Sequence, residues 1–343
     1  IADNGGIHSL KDQVGDYNIL YQTIVAIFTY IGDKSIYYYK ILSIFFDFCM
    51  AISAAIFACE LSKKEKNDKV FFVTFAAVIM LPTVILNSAY WGQCDSIYTT
   101  FIILTLLYLY REKYHRAFMF LGIAFAFKMQ TIFIFPFIIC FYIYKKQFSI
   151  FELLITVFTF WISGIGAFVQ GRSLLDPFRI YANQTGTYQY MHVNFPSFWM
   201  FVGNDYEWLK TAAIVMAAGI CGMGLYIIMK RKLDCSRPEN FVSIASWFIW
   251  TCVLFLPAMH ERYAYPLEIL LVILTCINKD YLKYSSVAIL FSLFTYGNYL
   301  FSNGGLDKYI VIIYAGCYLH FTYTILKKNS KAATVTDKEM QNE

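Results

Sequence analysis

Charge is what this chain has least of. Asp, Glu, Lys and Arg make up 15% of its 343 residues, where a soluble domain carries roughly a quarter. With 59% hydrophobic residues, 20% aromatic residues and a mean hydropathy of +0.52, that shortage excludes an ordinary soluble class and leaves the membrane. The basic residues fall in short clusters between apolar runs, not along one stripe. A net charge of +5 therefore gives no footprint for nucleic acid. The nine cysteines include no CxxC pair and have no His partner at ligand spacing. Most of them (Cys49, Cys59, Cys140, Cys221, Cys252, Cys276 and Cys317) sit inside apolar segments, as small core residues do. No internal repeat and no signal peptide is visible. The chain opens at Ile1 on a polar stretch that runs to Asn18, which reads as a processed start or as a fragment of a longer protein.

Apolar segments follow at 36–59, 70–88, 96–110, 117–127, 131–144, 148–171, 211–229, 241–257, 266–277, 285–303 and 309–326. Several are shorter than the roughly 20 residues of a full span, so they are expected as tilted or broken helices around a sheltered cavity. Ile19–Ile31 is a shorter apolar stretch suited to an interfacial helix. The expected fold is an all-α polytopic bundle with about 11 transmembrane helices and external loop helices. It forms one domain over 1–328, followed by a polar, disordered cytoplasmic tail at 329–343.

Charge supports an orientation. With Lys63-Lys64-Glu65-Lys66 placed inside and the sides alternating, Arg111–Arg116, Lys145-Lys146, Lys230-Arg231-Lys232, Lys279–Lys283 and Lys327-Lys328 also fall inside, as the positive-inside rule expects. The segments around Gln93/Asp95, Lys128/Gln130, Arg172–Lys210 and His260–Arg262 then emerge outside. Ile1–Asn18 falls outside as well, which predicts one more span upstream of it.

Three polar clusters interrupt the apolar runs. Ionisable groups at membrane depth are costly and survive mainly along a polar cavity or a substrate path. His260, Glu261 and Arg262 follow Pro257. An Arg and a His side by side bind phosphate through charge-assisted hydrogen bonds, although interfacial anchoring would explain the same residues. Lys128 and Gln130 interrupt the run Ala117–Tyr144, which predicts two short helices with Lys128 at their outer turn. There Lys128 meets either a phosphate or an acidic neighbour such as Asp95 or Glu261. Trp91-Gly92-Gln93-Cys94-Asp95-Ser96 opens a span, where Asp95 and Ser96 suit an N-cap and Trp91 an interfacial anchor. Asp47 is a further acid inside a span, and structural pairing suits it better than chemistry. In the long loop, Tyr188, Tyr190, Asn194 and Trp199 offer stacking and hydrogen-bonding groups of the kind that hold sugars. The stretch Asn194-Phe195-Pro196-Ser197-Phe198-Trp199 predicts a loop turning into a short helix.

Together, Ala89-Tyr90-Trp91-Gly92-Gln93-Cys94-Asp95-Ser96, Phe127-Lys128-Met129-Gln130 with Pro136, Asn194-Phe195-Pro196 and Met259-His260-Glu261-Arg262-Tyr263 resemble the GT-C superfamily of polytopic glycosyltransferases. The likeness extends from about Ile7 to Asn303 and is greatest to bacterial relatives of the GPI-anchor second mannosyltransferase. The resemblance implies an inverting hexose transfer that depends weakly or not at all on metal and uses no resident cofactor. The donor would be a mannose or glucose carried on a polyprenyl (or dolichyl) phosphate, and the acceptor a glycan or lipid-linked glycan at the outer face. It implies His260, Arg262 and Lys128 as the groups that hold the donor phosphate. Trp91, Gln93, Asp95, Gln130, Glu261, Asn194 and Tyr190 are the candidate substrate contacts. In this family the catalytic acid follows the first span, which is expected upstream of Ile1 here; Asp16 and Asp3 are the candidate acids within the given loop, and the true base is expected upstream of Ile1 if neither serves. Two rival functions remain: a flippase or transporter of lipid-linked glycan, which the missing repeat disfavours, and a polysaccharide polymerase using Arg172 and Arg179. The Ile/Tyr/Lys/Phe-rich style matches a low-GC bacterium, hence a multi-pass plasma-membrane protein, or an endoplasmic-reticulum one if eukaryotic.

Overall fold

Helix formation follows the apolar runs almost segment by segment. The computed structural model describes residues 1, 5–32, 35–62, 69–302 and 308–340; Asp3 and the Lys63-Lys64-Glu65-Lys66 cluster lie outside the described residues. Fifteen α-helices are found there. The first six are α1 (Ile19–Phe28), α2 (Ser35–Ser62), α3 (Lys69–Ile79), α4 (Pro82–Ile85), α5 (Asp95–Tyr110) and α6 (Tyr114–Phe127). Then come α7 (Phe135–Lys145), α8 (Glu152–Ile162), α9 (Ile165–Phe168), α10 (Asp176–Gln184) and α11 (Tyr206–Lys230). The last are α12 (Pro238–Phe255), α13 (Tyr265–Ile277), α14 (Leu282–Phe301) and α15 (Lys308–Met340). Among the described residues, strand is confined to a two-residue parallel pair, β1 (His192–Val193) and β2 (Met259–His260). The all-α expectation holds.

Among the described residues, three helices are long and apolar enough to cross a membrane: α2 from Ile36, α11, and α15 as far as Lys328. A fourth span arises if α3 and the segment from Pro82 to Tyr90, bent by 48° at their junction, count as one. The other apolar helices are shorter. At 1.5 Å per residue, the 16 residues of α5 reach about 24 Å, short of a hydrocarbon core of about 30 Å. The tail expected to be disordered is instead helical, since α15 continues to Met340.

Two compact units divide the chain. The first comprises Ile1–Glu60, Lys64–Ile132 and Gln147–Gln189, and the second Leu61–Lys63, Phe133–Lys146 and Tyr190–Glu343. In the first, α5 packs on α6 and α6 on α8. The α6–α8 crossing is close because Gly122 has no side chain: a Cβ there would stand 2.6 Å from the Thr156 carbonyl and 2.7 Å from the Thr159 Cβ. Thr156 Oγ1 donates to the Phe118 carbonyl across the same contact at 2.9 Å. A core of Leu10, Ile19, Ala126, Phe160, Ile180 and Tyr181 ties the N-terminal segment to α1, α6, α8 and α10. In the second unit, α12 and α13 are central. Nearly every α12 residue from Asn240 to Leu254 is buried, and its hydroxyls fold back on its own backbone, as where Ser246 and Thr251 donate to the Val242 and Trp247 carbonyls at 2.8 Å. Such bonding removes the cost of burying a hydroxyl without a partner. By contrast, α11 and α15 turn large apolar side chains outward, including Ile214, Val215, Ile312, Ile313 and Leu319.

Candidate functional site

The polar clusters sit where helices break, for local reasons that can be traced. In the first unit, Pro82 starts α4 and cannot continue the ladder of α3. A π-helical turn, Leu86–Tyr90, follows. Its extra residue per turn brings Asn87 and Ser88 to face inward, both fully buried. Trp91 and Gly92 then reverse the chain, and Gly92 takes the left-handed conformation (φ 79°) that its lack of Cβ makes inexpensive. Asp95 begins α5. The N-cap position belongs to Cys94, which makes no side-chain cap, so Asp95 and Ser96 are not the caps their types suggested. Ser96 Oγ donates to the Ser43 carbonyl at 3.1 Å. Asp95, fully buried, accepts from Asn87 Nδ2 at 2.9 Å and forms an ion pair with Lys128.

Lys128 reaches Asp95 because α6 stops at Phe127. Lys128 is its C-cap in an extended conformation, and a 3₁₀ turn, Met129–Ile134, precedes α7. The break predicted between two short helices is therefore present, and of the two acids considered for Lys128 its partner is Asp95. The ammonium also lies 5.3 Å from the centre of the Tyr98 ring. Gln93 accepts from the Tyr17 hydroxyl at 3.3 Å. Trp91, Gln93 and Gln130 are half-buried. Asp47 accepts from Ser88 Oγ. Asp16 is exposed on the N-terminal loop and lines a polar cleft of about 240 Å³ with Gln13, Asp176, Arg179, Asn183 and Gln184. Arg172, which also lines it, is buried and donates to the Asp12 carbonyl at 3.2 Å, to Gln13 Oε1, and to Asp176 Oδ2 at 2.9 Å. Those bonds make Arg172 a clamp on the loop that carries Asp16. Arg179, mostly exposed, pairs only loosely with Asp176 at 3.3 Å.

In the second unit, α12 ends at Phe255 and Ala258 takes a left-handed conformation (φ 58°). That turn sends Met259 and His260 alongside His192 and Val193 as β2 and β1. Ala258 N–H donates to the Met191 carbonyl at 3.1 Å, and Trp199 Nε1 to the Phe255 carbonyl at 2.7 Å. The predicted turn into a short helix is a 3₁₀ turn, Phe198–Phe201. Glu261 is fully buried. Its Oε1 accepts from Arg262 Nη1 at 2.7 Å, His260 Nδ1 lies 3.8 Å from its Oε2, and its carbonyl accepts from Thr295 Oγ1 at 3.2 Å. The His260 ring lies 4.9 Å from the Tyr263 ring. Asn194 and Tyr190 are exposed, and Asn194 is itself left-handed (φ 52°). A carboxylate with no exposure thus holds an arginine at a helix break, with a histidine ring close by. A buried charge is tolerated where paired in this way.

Sequence reasoning passed over Glu268, which is buried in the first turns of α13 three residues beyond Tyr265. The signal was present: an acid inside an apolar run, as with Asp47. Asn87 and Ser88 gave no signal, because only the π-helical turn points them inward.

His192 has a testable titration. Partial desolvation holds its imidazole below the usual value of 6.5. The unfolded chain then binds the proton more readily than the folded one, so stability is lost as pH falls through and below about 6.5. His192→Gln should flatten the fall of stability between pH 7 and pH 5, measured as the thermal midpoint of detergent-solubilised protein across that range; an unchanged slope would contradict it.

No protein-family model and no curated protein matches this chain.

Proposed function

We propose that this chain is an integral membrane glycosyltransferase of the GT-C type, which moves a hexose from a polyprenyl-phosphate sugar to an acceptor hydroxyl on the extracytoplasmic side, with inversion. The observation that carries this reading is the His260–Glu261–Arg262 cluster: a fully buried carboxylate fixing a guanidinium at 2.7 Å where α12 has ended. A planar guanidinium held by a carboxylate is pre-oriented for a tetrahedral phosphate, and the charge that grows on a departing lipid phosphate is what such a group stabilises. The membrane follows from the donor, whose isoprenoid tail must approach from lipid. In this reading the shorter apolar helices join the three long ones in a bundle of about eleven spans, tilted or shielded by one another. In this reading Asp16, on a loop clamped by Arg172 beside a polar cleft, takes the acceptor proton. The cleft's amide and carboxylate groups suit sugar hydroxyls. The many internal bonds of Arg172 leave the polymerase alternative with Arg179 alone of its two arginines to offer a glycan.

The test is direct. Full-length protein in liposomes should transfer label from a prenyl-phosphate hexose to a glycan acceptor, with inverted configuration, and should leave nucleotide sugars untouched. Use of nucleotide sugars, with prenyl-phosphate sugars refused, would remove the proposal. Within it, Asp16→Asn should lower turnover at least 100-fold without raising KM for the donor, the range expected for loss of a general base. Unchanged turnover would move the base away from Asp16.

A further inference from the structure

On one side of the second unit, α11 and α15 leave a groove of about 340 Å³. Its walls are two stripes at helical spacing: Ile220, Met223, Gly224, Ile227 and Ile228 on α11, and Tyr318, Leu319, Thr322, Ile325 and Leu326 on α15. Trp247 of α12 forms its floor. The α11–α12 approach at that point depends on Gly224, where a Cβ would stand 2.4 Å from the indole ring. The few polar groups are already engaged with one another. Trp247 Nε1 donates to Thr322 Oγ1 at 2.8 Å, Thr322 Oγ1 donates to the Tyr318 carbonyl at 2.9 Å, and the Tyr318 hydroxyl bonds Thr251 at 2.8 Å. A space of this size with no polar partner on offer does not suit ordered water; it suits a hydrocarbon chain.

The groove has a direction. From 220 to 228 it advances about 12 Å, less than half of a hydrocarbon core of about 30 Å, so it occupies a single leaflet. Both stripes run toward the same basic end, where Lys230, Arg231 and Lys232 close α11 and Lys327 and Lys328 follow on α15. The acids nearby are already engaged. Glu239 and Asp280 hold Lys328 at 3.4 and 3.0 Å, and Asp234 accepts from the Tyr144 hydroxyl at 2.8 Å. Lys230, Arg231 and Lys232 are exposed and carry no ion pair among the described residues. An apolar slot one leaflet deep with cations at its mouth fits a lipid with an anionic head.

We propose that the α11–α15 groove is a binding site for an anionic glycerophospholipid, one acyl chain lying on Trp247 and the phosphate meeting Lys230, Arg231 and Lys232. This rests on the membrane placement of α11 and α15 and is independent of any catalytic activity.

The experiment is quenching of Trp247. The full chain is placed in nanodiscs of phosphatidylcholine that contain a small fraction of lipid with brominated acyl chains, and the Trp247 signal is taken as the difference from Trp247→Phe. Brominated phosphatidylglycerol should quench it severalfold more than brominated phosphatidylcholine at equal fraction, since each basic residue near an anionic lipid is worth about fivefold. The triple variant K230Q/R231Q/K232Q, all surface changes, should lower phosphatidylglycerol quenching to the phosphatidylcholine level. Equal quenching by the two lipids in the unmodified protein overturns the proposal. So does relief of quenching by polyprenyl phosphate at the same fraction, which would give the groove to a prenyl chain. If the triple variant keeps the preference, the assigned headgroup site is wrong.

Discussion

Arg262→Lys should leave the protein folded and lower sugar transfer about 100-fold, the scale on which a single oriented donor to a developing anion acts. Lysine keeps the charge beside Glu261 but loses the planar fork that would present several N–H groups to one phosphate. The effect should fall on kcat, because the phosphate gains charge only as the sugar departs. Arg262→Ala is a different experiment. Glu261 has no solvent exposure and takes the guanidinium at 2.7 Å; removing that partner leaves a buried carboxylate without its hydrogen-bonded counter-ion, a loss of about 3–5 kcal/mol. Folded yield and activity should therefore fall together. Adding Glu261→Gln should restore folded protein without restoring transfer, and that separation is the informative result. A monodisperse R262A/E261Q double variant with full activity would show that Arg262 serves the fold alone, and the phosphate-holding role would go with it.

The helices were legible because each apolar run is bounded by charge or proline, and the runs at 96–110, 117–127, 211–229 and 266–277 return as α5, α6, α11 and α13 within a few residues. The break at Lys128 was legible for the same reason: a cation in the middle of a helix is too costly there. Other features are set by longer-range terms. Hydropathy marks eleven segments as apolar, but among the described residues length and composition together select only α2, α11 and α15 as spans, with the bent pair from Lys69 to Tyr90 as a fourth. The inward aim of Asn87 depends on a π-helical turn, which no residue type announces. The β1–β2 bridge pairs two residues with two others some 67 positions away, beyond any local pattern. In the candidate site, the residue types were readable and their pairing was not. Lys128 could equally have met Asp95 or Glu261, and which acid it meets is a matter of tertiary contact.

That pairing supports the second large effect. Asp95 is fully buried, Lys128 nearly so, and the two share the turn with Asn87. Lys128→Met or Asp95→Asn alone should each reduce folded protein sharply, since either leaves one buried charge or donor without its match, at about 3–5 kcal/mol for a broken pair. The double variant D95N/K128M removes both charges, and apolar or neutral replacement of a buried pair is often neutral in stability; its folded yield should return close to that of the unmodified protein. A coupling energy from the full cycle, read as thermal midpoints in detergent, should exceed about 1 kcal/mol. Additive midpoints would mean that the two side chains do not interact. Activity then separates scaffold from chemistry. If Lys128 helps to hold the donor phosphate, the refolded double variant should transfer sugar at least 100-fold more slowly, with the loss in kcat. Transfer at the normal rate would assign the pair to one task, fixing the Trp91–Asp95 turn against the end of α6.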